Sequence, residues 1–191
     1  MNTYVQSIPT CELGEGPHWN ASKQELLYVD INGQKVHRYV PATGLHTQVH
    51  INEGEVTLIV PVKDEANKYV VGVGRSLQMM EWDGLSSQPS SLTTMFTVEP
   101  DRPENRFNDG KCDARGRLWA GTMNDNDRTA NLYRVTNTIR NVQTGIGISN
   151  GLAWNRTNTL MYYIDTPTGK VDVFDFNNEQ GEISKSVIIY T

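Results

Sequence analysis

The stretches Trp19–Val36 and Trp154–Val171 share a register that few folds allow. Trp19-Asn20 and Trp154-Asn155 are each followed, eleven positions after the Trp, by Asp30 and Asp165. Six residues further on come Val36 and Val171, an offset of 135 throughout, or three times 45. Between these marks lie short apolar runs: LLYVD (26–30), KYVVGVG (68–74), RLWAGTM (117–123) and LMYYID (160–165). Each is followed by a second run: KVHRYV (35–40), LQMMEW (77–82), NLYRV (131–135) and KVDVFDF (170–176). The intervening INGQ, ATG, WDG, ARG and PTG are turn chemistry, and β-branched and aromatic runs so punctuated are strands. No window shows a 3.6-residue apolar period, so the chain reads as all-β. Units of about 40–50 residues with several strands each are the sequence mark of β-propeller blades. A β-sandwich with coincidental spacing is the alternative, and the matched Trp-Asp-Val register argues against it.

Four units account for nearly all of the 191 residues, roughly 14–50, 51–100, 101–145 and 146–191. The expectation is a single partial propeller domain of about four blades. The chain ends on SVIIYT, a strand-like run with no turn after it, which reads as a ring stopped before completion. An open ring would leave two blade faces uncovered, each an edge-pairing liability.

Composition narrows the partners. The formal net charge is −5, without long blocks of one sign. No basic stripe is present for a nucleic acid or an anionic membrane. No segment approaches the roughly 20 apolar residues that span a bilayer, and MNTYVQSIPT lacks the pattern of a secretory signal. Cys11 and Cys112 are too few for a disulfide framework or a thiolate cluster. Reduced thiols in the cytoplasm are the expectation.

Gly147-Ile148-Ser149-Asn150-Gly151 fits the G-x-S-x-G pattern of a hydrolase nucleophile. That elbow needs a following helix and a later histidine. Here a strand-like run follows, and His18, His37, His46 and His50 all precede Ser149. Gly72-Val73-Gly74 lacks the third glycine of a phosphate loop. Asn124-Asp125-Asn126-Asp127 lacks the glycine and glutamate of a calcium loop and reads as a solvated turn.

Three stretches remain: LGEGPHWN (13–20), NRFNDGKCDARGRLWAGTM (105–123) and ISNGLAWN (148–155). Their position suggests loops just before inner blade strands, around the mouth of a central channel. Each sets an oxygen-bearing side chain beside glycine: Glu15, Asn108-Asp109 and Asn150. Carboxylate and amide oxygens suit hard divalent cations. As residue types alone, they serve equally well as turn formers.

All three stretches resemble the signature segments of the regucalcin (senescence marker protein 30)/gluconolactonase family. EWDG (81–84), NVQTGIGISNGLAWN and LMYYIDT are most similar to insect luciferin-regenerating enzymes. The resemblance implies a six-bladed β-propeller that hydrolyses sugar lactones with one divalent metal ion, Ca²⁺, Zn²⁺, Mn²⁺ or Mg²⁺, in its channel. By position, Glu15 and Asn150 match the family's metal ligands, and Arg106 and Asn108 match its substrate-holding residues. The family's aspartate ligand and acid/base belongs to a Pro-Asp-Gly loop beyond Thr191, so no catalytic residue is assigned. A glutamate substrate contact falls by spacing at Asn126 and is not carried over. The implied partner is a small lactone. The alternative is a non-catalytic calcium-binding or regulatory protein.

Overall fold

The computed structural model describes residues 8–190, with side chains to Ser184. Apart from one 3₁₀ turn, Thr166–Thr168, every regular element is a strand. Blade 1 comprises β1 (Gly14–Asn20), β2 (Glu25–Asp30), β3 (Lys35–Val40) and β4 (Leu45–His50). Blade 2 comprises β5 (Val56–Pro61), β6 (Lys68–Val73), β7 (Ser76–Glu81) and β8 (Ser91–Thr97). Blade 3 holds β9 (Arg106–Cys112), β10 (Leu118–Met123), β11 (Ala130–Val135) and β12 (Ile139–Ile146). Blade 4 holds β13 (Ser149–Trp154), β14 (Leu160–Asp165), β15 (Lys170–Asn177) and β16 (Glu182–Tyr190). Each is an antiparallel meander in sequence order, the arrangement of four β-propeller blades. None of the described residues forms a helix long and apolar enough to cross a membrane.

One strand correction carries over to the site. The segments expected to be loops before the inner strands are themselves the innermost strands: GEGPHWN is β1, RFNDGKC is β9 and SNGLAW is β13. LLYVD, RLWAGTM and LMYYID lie in the second strands. Glycine and polar residues hid these strands from a hydrophobicity reading. They remain strands because their backbones complete the ladder and their polar sides face a channel.

The core is divided among the blade junctions, because alternate residues of a strand point to opposite faces. Leu27, Val29, Val36, Ile59, Val71, Met80 and Trp82 pack between blades 1 and 2. Leu58, Val60, Leu77, Phe107, Leu118 and Ala120 pack between blades 2 and 3. Trp119, Leu132, Leu152, Met161, Tyr163 and Phe174 pack between blades 3 and 4. Strand β10 shows the division directly, with Leu118 and Ala120 on one junction and Trp119 on the next. All six of its residues are buried.

The 135-residue register has a physical cause. Asp30 and Asp165 close their second strands and are 4% and 2% exposed. Asp30 accepts the backbone N–H groups of Glu12 and Leu13, both at 3.0 Å. Asp165 accepts those of Gly147 and Ile148, at 3.2 and 3.0 Å. Gly147 and Ile148 lie 135 positions after Glu12 and Leu13. The backbone repeats the pattern: Ile31 donates to Leu13 at 2.9 Å, and Thr166 to Ile148 at 3.0 Å. Each aspartate thus clamps the chain where it enters the innermost strand. Trp154 packs on Trp119 and Phe176 at ring separations of 6.2 and 5.8 Å. Trp19, its counterpart, is 48% exposed, since among the described residues no blade covers that face of blade 1.

Two outcomes follow for stability. Asp165→Ala leaves the Gly147 and Ile148 N–H groups without their acceptor, each worth about 1–3 kcal/mol, so urea denaturation is expected to show a loss of about 2–6 kcal/mol. Buried His37, packed against His46, Asp30, Lys35, Cys11 and Tyr28, has its imidazole pushed from 6.5 down to about 4, chiefly by burial and then by His46. The unfolded chain therefore binds more protons between these values. The stability from neutral His37 is complete above pH 6.5 and declines as pH falls toward 4, measurable as a falling urea midpoint between pH 7 and pH 5.

Candidate functional site at the channel wall

The innermost strands β1, β5, β9 and β13 line one channel cavity of about 360 Å³, bounded by Glu15 to His18, Leu58 to Val60, Asp109 to Cys112, Gly151 and Leu152. A smaller recess of about 10 Å³ joins Glu15, Gly16, Thr57, Asn108, Asp109 and Asn150. Three of the four expected site residues therefore line one recess. They reach it because β1, β9 and β13 each carry a register shift against their neighbour, at Glu15/His18, opposite Ala120/Thr122 of β10 and at Asn150/Leu152. A bulge bends a strand and re-aims side chains. Gly16 and Gly151 supply the positive φ values, 55° and 49°, that these kinks need.

Glu15 is exposed, and its side chain hydrogen-bonds to no other described residue. Asn150 donates to Thr166 Oγ1 at 3.3 Å, and among the described residues its Oδ1 accepts only the N–H of Gly151, at 3.1 Å. Asn108 donates to the carbonyl of Ser149 at 2.9 Å, tying β9 to β13. Arg106, the fourth expected residue, lines neither cavity but donates from Nη1 to Asn108 Oδ1 at 2.9 Å. Its Nε lies 3.4 Å from Glu55 Oε2, and its Nη2 has no partner among the described residues.

Asp109 was legible only as an oxygen donor beside glycine. Its Oδ1 accepts the N–H of Gly110 at 2.7 Å and its Oδ2 that of Gly151 at 2.8 Å. Burial pushes this carboxyl above the usual carboxylate range, against the two backbone bonds. Its visible work is to hold the β13 bulge beside Asn150. His18 also lines the channel, its imidazole lowered by burial and by the Lys111 cation. Sequence reading missed it because only the bend in β1 turns it inward.

Ser149 is fully buried. Its hydroxyl is 2.6 Å from the Tyr163 hydroxyl, and it sits against Gly121, where a Cβ would collide with it. A nucleophile needs access that this serine lacks. In the Asn124–Asp127 stretch, Asp125 to Asp127 are exposed, but Asn124 is 8% exposed and donates to Asn105 at 2.7 Å. The expected solvated turn is therefore anchored at its first residue.

The oxygen set fits a hard divalent cation in type: an uncommitted carboxylate and an amide carbonyl with only a local partner. Two such donors leave most of a coordination sphere to water.

Residues 13–191 match the family model described as the SMP-30/Gluconolactonase/LRE-like region. The chain belongs to this family. Regucalcin of Xenopus laevis is 34% identical over 193 residues, covering 95% of this chain and 61% of that protein. A solved luciferin-regenerating enzyme superposes with a TM-score of 0.91 at 34% identity, covering 95% of this chain and 61% of that one. A calcium-binding protein, regucalcin, from Agrobacterium tumefaciens shares the fold at a TM-score of 0.83 and 22% identity, over 93% and 59% of the two chains. The chain spans about three-fifths of the length of these relatives.

Ser149→Ala is expected to cost about 1 kcal/mol through the lost hydroxyl bond. Serine-directed fluorophosphonate should not label the native chain, which mass spectrometry of the intact protein would check.

Proposed function

We propose that this chain carries the cation- and substrate-binding wall of a divalent-metal-dependent sugar-lactone hydrolase. The observation that carries this reading is the meeting of Glu15, Asn108 and Asn150 in one recess of the channel. The family name, which includes gluconolactonase, supplies the reaction class. Glu15 and Asn150 would hold the cation through carboxylate and amide oxygens. When bound, it would act as a Lewis acid toward a carbonyl oxygen.

The chain's own residues do the rest of the positioning. Arg106 is anchored through Nη1 to Asn108 and to the carbonyl of Phe107, 3.0 Å away. Its unpartnered Nη2 offers donors to a sugar's hydroxyl groups in the planar geometry peculiar to guanidinium. Asn108 has its amide set by Ser149 and Arg106, so it presents a fixed orientation to a substrate. Asp109 keeps the Gly151 bulge in place, and with it Asn150. No described side chain is assigned as the proton carrier.

A second reading is a cation-binding protein without turnover. It draws on the Agrobacterium relative's description as calcium-binding and on a recess whose available oxygen donors among the described residues are the Glu15 carboxylate, the Asn150 amide and the unbonded Thr57 hydroxyl.

One assay separates the two. Hydrolysis of gluconolactone, followed by pH-stat with Zn²⁺, Mn²⁺ or Ca²⁺, is expected to fall at least about 100-fold in Glu15→Gln. Glu15 is exposed, so that change leaves the thermal midpoint in place. Activity unchanged by Glu15→Gln overturns the hydrolase reading. Cation binding lost in Glu15→Gln, without turnover in the native chain, establishes the second.

A further inference from the structure

A second group of metal-ligating side chains lies in blade 1, outside the channel. Cys11 precedes β1, Asp30 ends β2 and His37 lies within β3. Their Sγ, carboxylate oxygen and ring nitrogen all lie within 4.8 Å of one another. Cys11 Sγ is 3.9 Å from His37 Nε2. Tetrahedral zinc with bonds of about 2.0–2.3 Å sets its ligands about 3.3–3.7 Å apart, so only small adjustments close this triangle.

The imidazole is already arranged as a ligand. Its ring stacks on Tyr28 at 4.7 Å with an interplanar angle of 7°. Its Nδ1 is 3.0 Å from His46 Nε2, which in turn is 3.2 Å from the Tyr28 hydroxyl. In the tautomer that donates Nδ1–H to His46, Nε2 carries the lone pair and faces Cys11. Such an outer hydrogen bond fixes the tautomer and orientation of zinc-binding histidines.

Blade 4 supplies an internal control. There the counterpart Asp165 turns Oδ2 to a cation, Arg128 Nη2, at 2.7 Å. In blade 1, Asp30 Oδ2 accepts only the Glu12 N–H, at 3.0 Å, and pairs with no cationic side chain among the described residues. Cys11 and His37 stand beside it instead. A buried carboxylate that has a positive partner in one blade and two further metal-type ligands in the other marks a place for positive charge.

We propose that Cys11, Asp30 and His37 form a binding site for a borderline-soft divalent cation, Zn²⁺ by ligand type, separate from the channel pair Glu15 and Asn150. Thiolate, imidazole and carboxylate make a mixed set that suits Zn²⁺ and disfavours Ca²⁺ or Mg²⁺. On binding, the Cys11 thiol gives its proton to solvent, the sulfur–metal bond forms, and water takes the fourth position. Cys11 is partly exposed, which leaves an entry path past otherwise buried partners. The cation would staple the segment before β1 to β2 and β3, reinforcing the Asp30 clamp.

Co²⁺, as a spectroscopic stand-in, decides the matter when titrated into the full 191-residue chain. A thiolate-to-metal charge-transfer band in the near ultraviolet, displaced by Zn²⁺, is expected. It should persist in Glu15→Gln and Cys112→Ser and vanish in Cys11→Ser. His46→Ala removes the group that orients His37 and should weaken Zn²⁺ binding about 10- to 100-fold, with the band recovered at saturating metal. A native chain without the band overturns the site. So does a band lost in Cys112→Ser or in Glu15→Gln, and neither of those variants alters Cys11.

Discussion

A four-stranded sheet with apolar side chains on both faces cannot bury them alone, and this constraint organises the whole molecule. Each junction completes two blades at once, which is why the core falls into three clusters for four blades. Strand β10, with no solvent-facing side, is buried at every residue. The outermost strands β8 and β12 are largely exposed. Radial stacking therefore gathers the four first strands around one channel. That gathering brings Glu15 and Asn150 into one recess.

Within each blade the chain must be held where it turns inward, and the buried aspartates do this. Asp30 and Asp165 bond matching pairs of backbone N–H groups at the entrance to β1 and β13. Blades 2 and 3 place Val73 and Met123 at this position and lean on other links. Phe107 donates to the Gly74 carbonyl at 2.7 Å, and Asn124 to that of Gly147 at 2.9 Å. At the junction of blades 2 and 3, buried Glu99 collects Thr122, Asn131, Tyr133 and Asn105. The same task of fixing loop to strand is met by different chemistry, so only blades 1 and 4 repeat visibly in sequence.

The site was legible to unequal degrees. Glu15, Asn108 and Asn150 stand out because glycine flanks each segment, and those glycines take the positive φ of the bulges at Gly16 and Gly151. Ser149 was separable from Asn150 because no later histidine follows it. That β1, β9 and β13 are strands was not legible, since their polar composition answers to a channel rather than to a core. Asp109's bond to Gly151 and the inward turn of His18 depend on contacts between blades. Cys11 and His37 meet across 26 positions of sequence, and two scattered cysteines gave no sign of it.

By itself, the sequence determined what is local and repeating: strands bounded by turn residues, a blade-length period, and oxygen-bearing side chains held beside glycines. Those follow from backbone preference and from two blades needing the same clamp. Tertiary structure alone decided which side chains share a space, because convergence across 135 residues depends on how the blades are set about a common axis. The recess of Glu15 and Asn150, the tether from Asp109 and the cluster around Asp30 all arise at that level.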